Sequence, residues 1–374
     1  MKLALLGGIS VRHFLRDYWQ KKPLLVRQAL PKFEGFITHK ALFDLACRDD
    51  VESRLVRRSQ AGWQLSNGPF TGNNISRLPK RDWTLLVQDL NHFLPEAARL
   101  MQRFNFLPHA RVDDVMVSYA PIGGGVGPHF DSYDVFLLQG CGQRRWRISA
   151  QKDLELIPDA PLKILKRFEA EEEWVLEPGD MLYLPPRYAH DGVALTECMT
   201  YSIGFRAPSA QELAHAFLNH IQDTLTLEGR YEDPDLLETK HPGEISKLMI
   251  GKTMDMLKNI SWKEKDVTEF LGVYLSEPKP HIFFTPPQNP LSLPRFKSVS
   301  AKYGLKLALK SRMLYRKNIF YLNGERLALQ EASAVYLREL ADKWQIPTTA
   351  NIDRDTLEIL WDWYCAGFVE ANNA

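Results

Sequence analysis

The stretch Gly123-Gly124-Gly125-Val126-Gly127-Pro128-His129-Phe130-Asp131 governs the reading of this chain. Its glycines let one backbone approach another closely. It ends on a histidine and an aspartate two residues apart, and side chains at i and i+2 of an extended chain point to the same face. A strand-like run, Val135 to Leu138, follows at once. A third ligand is offered by His190, at the end of Glu177-Pro178-Gly179-Asp180-Met181-Leu182-Tyr183-Leu184-Pro185-Pro186-Arg187-Tyr188-Ala189-His190, where a turn feeds a strand that stops at two prolines. Two neutral imidazoles and one carboxylate make the facial triad that suits non-haem Fe(II) oxygenases, because it leaves coordination positions open. A His-x-Asp pair alone is common by chance. The glycine run, the strand after it and the turn-strand context of the third ligand are what give this pair weight.

Working outward, residues 112 to 206 carry short β-type runs punctuated by Gly and Pro: Val115 to Tyr119, Val135 to Leu138, Arg145 to Ile148, Met181 to Leu184 and Met199 to Phe205. Such spacing predicts an antiparallel barrel or sandwich. Upstream, Ser10 opens a predicted helix that runs toward Lys21, and Leu24 to Val26 reads as a strand. From there to residue 110 the pattern reads as short helices and loops, with Trp83 to Phe93 as one helix, a region of scaffold rather than chemistry. Downstream, Ser209 with Glu212 and Ser261 with Glu264 are capping-box signals for helices; Glu244 to Lys258 reads as another. A proline-rich linker, Glu277 to Pro294, precedes short strands at Leu305 to Leu309, Met313 to Tyr315 and Phe320 to Leu322, the last ending in the turn Asn323-Gly324. Helices over Ala332 to Trp344 and Arg354 to Val369 close the chain.

Composition limits the function classes. Lys+Arg 47 against Asp+Glu 46 leaves a formal charge of +1, so no global field draws the chain of 374 residues onto nucleic acid or an anionic membrane. The stretch from Pro278 to Gly324 nevertheless holds nine Lys/Arg and no Asp or Glu, read either as a solvated face or as a contact to RNA or an acidic partner. Cys47, Cys141, Cys198 and Cys365 are scattered without a Cys-x-x-Cys, which argues against a disulfide framework or a zinc ribbon. The apolar run before Arg12 is too short for a signal-peptide core, and no stretch reaches membrane-span length. A soluble, cytoplasmic protein is the expectation. His215 and His220, five apart on a helix, do not align for a metal.

The sequence resembles the JmjC-type 2-oxoglutarate oxygenases of the cupin fold, and within them the bacterial ribosomal oxygenases that hydroxylate an arginine of large-subunit ribosomal protein sixteen. The resemblance covers nearly the whole chain and rests on Trp19-Gln20-Lys21-Lys22-Pro23-Leu24, Gly68-Pro69-Phe70, Trp83-Thr84-Leu85-Leu86-Val87-Gln88, Gly123 to Asp134, Arg144-Arg145-Trp146-Arg147 and Tyr201-Ser202-Ile203-Gly204-Phe205-Arg206-Ala207-Pro208. It implies a mixed α and β protein with three parts. These are a double-stranded β-helix catalytic domain with an N-terminal helical elaboration (1–207), a helical dimerisation region (208–276) and a winged-helix-like C-terminal domain (277–374).

The resemblance further implies His129, Asp131 and His190 as ligands of Fe(II), 2-oxoglutarate and O2 as cosubstrates, and a homodimer. Arg144 falls at the position of the cation that pairs with the distal carboxylate of 2-oxoglutarate, where its fork can bind in bidentate fashion. Arg145 and Arg147 compete for that role, but alternation sends them to the opposite face. An arginyl substrate is a buried cation, which calls for a carboxylate and a flat partner. Asp113, Asp114 and Tyr133 are nearby candidates; Asp114, sharing parity with Met116 and Ser118, and Tyr133 are assigned the role, against a strand-opening turn at Asp113 and Asp114 and structural packing of Tyr133. Ser202 is placed in the same cavity and assigned to cosubstrate binding. Two other readings stay open: the same chemistry on a histidyl or RNA substrate, and a non-catalytic cupin that assists ribosome assembly or binds RNA.

Overall fold

Alternation along the strands builds the N-terminal half of the molecule. The computed structural model describes residues 2–60 and 62–372. Among the described residues, eleven strands lie before residue 206: β1 (Leu24–Val26), β2 (Ser53–Ser59), β3 (Gly62–Asn67), β4 (Trp83–Val87), β5 (Val112–Ala120), β6 (Val135–Cys141), β7 (Arg144–Ser149), β8 (Glu172–Leu176), β9 (Met181–Leu184), β10 (Ala189–Ala194) and β11 (Cys198–Phe205). Eight of them form one antiparallel sheet in the order β1-β9-β6-β11-β5-β4-β2-β3, and β10-β7-β8 form a second. The two face each other as a double-stranded β-helix.

One parity of each strand packs outward and the other inward. Val115, Val117, Tyr119, Phe136, Leu138, Met181, Tyr183, Tyr201, Ile203 and Phe205 join the N-terminal helices in a large apolar core. The opposite parity of β6 and β9 meets the second sheet in a smaller cluster of Val135, Leu137, Trp146, Ile148, Leu176, Leu182 and Leu184. Asp114, Met116, Ser118 and Ser202 share that inward parity, so polar side chains line the barrel where a pure packing core would be apolar.

The N-terminal half differs from the expectation. Trp83 to Val87 is a strand in the large sheet, all five residues buried, and only a short 3-10 turn at Leu90–His92 follows. A strand buried on both faces has no alternation, so its Leu85, Leu86, Leu90 spacing mimicked a helix face. β2 and β3 were missed as well, because charged residues at Arg54, Arg57 and Arg58 masked their pattern. The opening helix, Val11–Asp17, is capped by Ser10 as expected but stops short of Lys21.

Beyond β11, the helices Ala210–Gln222, Lys247–Leu257 and Glu264–Ser276 follow. The Ser209 and Glu212 capping box forms in both directions. The second expected box does not: Lys263 is the N-cap, its backbone N–H donates to Asp266 Oδ2 at 2.7 Å, and Ser261 lies outside the helix. Helices Leu293–Tyr303, Glu331–Lys343 and Arg354–Cys365 with two three-stranded sheets share a separate core around Phe296, Phe320, Leu337 and Leu360. The first of these helices begins at the end of the proline-rich linker with Pro294 in its opening turn, a position proline tolerates. Asn323-Gly324 is the expected hairpin turn, with φ of 53° and 88°, and it joins Ile319–Leu322 to a further strand, Glu325–Ala328. The last helix ends at Cys365, and Val369–Ala371 is a strand.

Candidate active site

The glycine run lies along the free edge of β10. Gly123 N donates to Ala194 O at 2.9 Å and Ala194 N to Gly124 O at 2.9 Å; six residues on, His129 and His190 exchange backbone hydrogen bonds of 2.9 and 2.8 Å. A Cβ on Gly125 would stand 2.6 Å from Gly192 O, so only glycine permits this approach. Gly127, at φ 80°, then turns the chain so that His129 meets His190.

The side chains follow from that pairing. The two imidazole centroids are 4.2 Å apart, and Asp131 Oδ2 lies 3.6 Å from His190 Nε2. Ligand atoms of His129, Asp131 and His190 all fall within 4.8 Å of one another. Each histidine is oriented by a carbonyl: His129 Nδ1 lies 2.9 Å from Gly127 O, and His190 Nδ1 2.9 Å from Tyr188 O. With Nδ1–H donating, Nε2 carries the lone pair toward the shared point, which is the tautomer a metal requires. Burial, reinforced by His129, pushes the His190 imidazole down to about 4, so it is neutral at physiological pH. The loop beyond is pinned by Asp134, which accepts from Tyr183 Oη at 2.6 Å, Gln20 Nε2 at 2.9 Å and Arg111 Nη2 at 3.2 Å. Asp131 itself is held by its carbonyl, which accepts from Arg187 N at 2.7 Å.

Arg144 opens β7 and is 4% exposed. Its Nε and Nη2 are buried with no hydrogen-bond partner among the described residues. A buried guanidinium without a counter-charge costs several kcal/mol, about 3–5 when a partner is removed from a buried pair. The donor set therefore fits an anionic ligand. Arg144 pairs with Ala194 and Ile148 with His190 in the β7–β10 ladder, so Arg144 and the metal ligand share one face, about 13 Å apart along the strand. The Trp146 indole lies between them, 5.9 Å from the His190 ring and 5.8 Å from the Arg144 guanidinium. Arg145 and Arg147 point the other way, toward Glu173 at 4.0 Å and Asp191 at 2.5 Å.

The remaining candidates divide. Ser202 is buried on the inner face between Met116 of β5 and Leu137 of β6. Asp114, also inward, sits at the bulge of β11, where a Cβ on Gly204 would be 3.2 Å from its Oδ1 and 4.0 Å from the Tyr133 ring. Tyr133 is 42% exposed at the rim. Burial, then Asp113 and Asp89, raise the Asp114 carboxyl to about 7. Two neighbours were missing from the sequence reading. With its amide assigned by its partners, Gln88 donates to Asp114 Oδ2 at 3.0 Å and accepts from Arg54 Nη2 at 2.6 Å. Both come from the half of the chain read as scaffold, and only the strand assignment of β2 and β4 could have brought them here.

Residues 99–213 match the JmjC domain family and residues 255–370 the ROXA-like winged helix. The chain is 37% identical over 278 residues to the ribosomal protein uL16 3-hydroxylase of Escherichia coli, covering 74% of each chain. This chain belongs to the JmjC-domain ribosomal oxygenases. The crystal structure of E. coli YcfD superposes with a TM-score of 0.84 at 32% identity over 97% of this chain and 98% of that one. YcfD, a ribosomal oxygenase, in complex with cobalt and 2-oxoglutarate aligns at 0.82 and 32% identity, over 97% and 98% of the two chains. The mixed α and β architecture of a JmjC cupin with a C-terminal winged helix is thus the family's, as the resemblance implied.

Proposed function

We propose that this ribosomal oxygenase is an Fe(II)- and 2-oxoglutarate-dependent dioxygenase that hydroxylates an arginyl residue of ribosomal protein uL16, the protein named for the E. coli relative. The observation that carries the reading is Arg144, a buried guanidinium whose Nε and Nη2 have no hydrogen-bond partner among the described residues, in the same barrel as a two-histidine, one-carboxylate triad.

In this reading His129 Nε2, His190 Nε2 and Asp131 hold iron, and Arg144 receives the distal carboxylate of 2-oxoglutarate, with Ser202 lining the cavity beside it. Bound iron with 2-oxoglutarate and O2 supplies the oxidising power that converts a substrate C–H to C–OH, releasing succinate and carbon dioxide. The protein's part is placement. Asp114 receives the substrate guanidinium in its ionised form, Gln88 and the Asp89 N–H hold its Oδ2, and the half-exposed Tyr133 ring offers a flat surface at the mouth. The apolar cluster around Trp146 and Ile148 excludes water from the inner end.

The division into catalytic (1–207), helical (208–276) and winged-helix-like (277–374) parts belongs to the same reading. Homodimer formation is supported by the helix Lys247–Leu257, which buries none of its residues in the single chain and exposes Leu248, Met249, Ile250, Met254 and Leu257. Burial of such side chains yields about 1.5–3 kcal/mol each. The contact to RNA through the basic stretch has less support: Lys279 pairs with Asp89, Lys306 with Glu370 and Arg316 with Glu264, while Arg312 turns inward. No helix among the described residues is long and apolar enough to cross a membrane; a ribosomal substrate supports a cytoplasmic reaction.

The test is mass spectrometry of uL16 incubated with the protein, Fe(II), 2-oxoglutarate and O2. One added oxygen on an arginine, coupled to succinate, is the expected result. Oxygen on a histidine or on RNA would replace the substrate; rescue of a deletion strain by a metal-ligand variant would instead favour the non-catalytic assembly factor.

A further inference from the structure

A second cluster of charged groups lies outside the metal centre and joins distant parts of the chain. Asp89, just after β4, is 1% exposed and holds a left-handed backbone at φ 55°. Its Oδ1 accepts from Lys279 Nζ at 2.8 Å, and the same ammonium stands 3.5 Å from Asp113 Oδ1. His281 Nε2 is 3.4 Å from Asp89 Oδ2, and His92 Nδ1 is 3.9 Å from Oδ1. Arg312 donates to Asp113 O at 2.9 Å, while Arg206 Nε lies 3.6 Å from Asp113 Oδ1. Lys279, His281 and Arg312 belong to the linker and hairpin of the C-terminal part; the aspartates belong to the barrel.

This cluster is one residue removed from the carboxylate that faces the substrate. The backbone N–H of Asp89 donates to Asp114 Oδ2 at 3.2 Å. Asp89, Asp113 and Asp114 therefore crowd together, and two cations of the C-terminal part, the Lys279 ammonium and the Arg312 guanidinium, feel all three; of the two, only Lys279 makes a side-chain contact to Asp89. Two buried carboxylates beside a partly exposed third, Asp113, do not all ionise readily without an opposing charge.

We propose that Lys279 is a positioning residue through which the winged-helix part controls how well Asp114 receives a cationic substrate side chain, an inference that rests on the reading of Asp114 as the substrate carboxylate. Lys279 acts in two ways. It fixes Asp89 so that its N–H faces Asp114, and it offsets the negative charge that would otherwise keep a proton on Asp114. Burial raises the Asp114 carboxyl first, Asp113 and Asp89 raise it further, and Lys279 opposes them. The other groups acting on Asp114 are Gln88, with Arg54 behind it, Tyr133 and the Arg312 guanidinium; His92, His281 and Arg206 act on the two flanking aspartates, and the Glu52 carboxylate stands within 4.8 Å of Asp89 and His281. A neutral Asp114 cannot form an ion pair with a guanidinium, so losing Lys279 weakens the peptide and leaves 2-oxoglutarate untouched.

The test uses the full-length iron-loaded protein and an arginyl peptide from uL16, with kinetics followed against pH. Lys279→Met is expected to move the acid limb of kcat/KM to higher pH and to raise the peptide KM at neutral pH about tenfold for each unit of displacement, with the KM for 2-oxoglutarate unchanged. Lys279→Arg restores both. Asp89→Asn removes a like charge and moves the limb to lower pH, a sign that general loosening would not give. A wild-type KM and limb in Lys279→Met, or a defect that Lys279→Arg does not repair, overturns the inference. Should Lys279→Met fail to fold, an unmoved or raised limb in Asp89→Asn overturns it. Asp114→Asn with an unchanged peptide KM overturns the reading of Asp114 itself and this inference with it; a raised KM there beside a silent Lys279→Met overturns the inference alone.

Discussion

The indole of Trp146 fills the space over Gly192 so closely that a Cβ there would lie 2.6 Å from the ring. Because the same ring stands between His190 and Arg144, that glycine governs the distance over which a ligand can bridge metal and guanidinium. Gly192→Ala forces the indole to move, and overpacking of this kind costs about 1–3 kcal/mol. The variant is expected to melt earlier than the wild type and to bind 2-oxoglutarate more weakly, both read from thermal shift with and without the cosubstrate.

Replacing a ligand of the triad removes metal rather than fold. His129→Ala and Asp131→Ala are expected to keep their circular dichroism spectrum and to lose stoichiometric iron, because the backbone bonds between His129 and His190 do not involve either side chain. Peptide hydroxylation and succinate release fall together to background. Wild-type metal content in either variant would remove that residue from the ligand set.

Arg144→Met separates stability from binding. The substitution removes a buried charge with unpartnered donors, so the ligand-free protein is expected to melt no lower than the wild type. Loss of a charge-assisted pair, worth about 1.5–3 kcal/mol, should raise the KM for 2-oxoglutarate roughly ten- to a hundredfold. Arg144→Lys keeps the charge and falls between. An unchanged KM in Arg144→Met would place the distal carboxylate elsewhere.

Asp114 makes stability depend on pH in a defined direction. Its folded carboxyl is raised to about 7 by burial and the neighbouring aspartates, so below the ordinary aspartate range both states are protonated and the group costs nothing. Between that range and 7 the folded state binds a proton the unfolded state has released. The contribution of Asp114 is therefore present at low pH and lost as pH rises through about 7. Asp114→Asn is expected to melt above the wild type at pH 8, with the gap closing toward pH 4, while its KM for an arginyl peptide rises. A gap that is constant with pH would contradict the assignment.

The exposed apolar face of Lys247–Leu257 predicts association. Leu248→Glu with Met254→Glu should convert a dimer to monomer in light scattering, with the metal content unchanged.

The inner half of the site was legible because strand alternation and ligand spacing are local. His129 and Asp131 face one way on two residues of chain, and Arg144 is separated from Arg145 and Arg147 by parity alone. Asp114 and Tyr133 were legible only as candidates, since their meeting at Gly204 depends on the bulge in β11. Gln88, Arg54 and Asp89 were not legible. A strand such as Trp83–Val87, buried on both sides, carries no period, and misreading it as a helix hid the residues that follow it. Lys279 was misplaced for the converse reason. Nine positive charges in one stretch look like a solvated face, and nothing in the sequence shows that a barrel carboxylate reaches one of them.

The paired hydrogen bonds between His129 and His190 join the two ligand-bearing segments through main chain alone. Either imidazole can therefore be exchanged for another side chain while the backbone that presents it stays paired, so substitution at these two positions alters the chemistry of the site before it alters the fold.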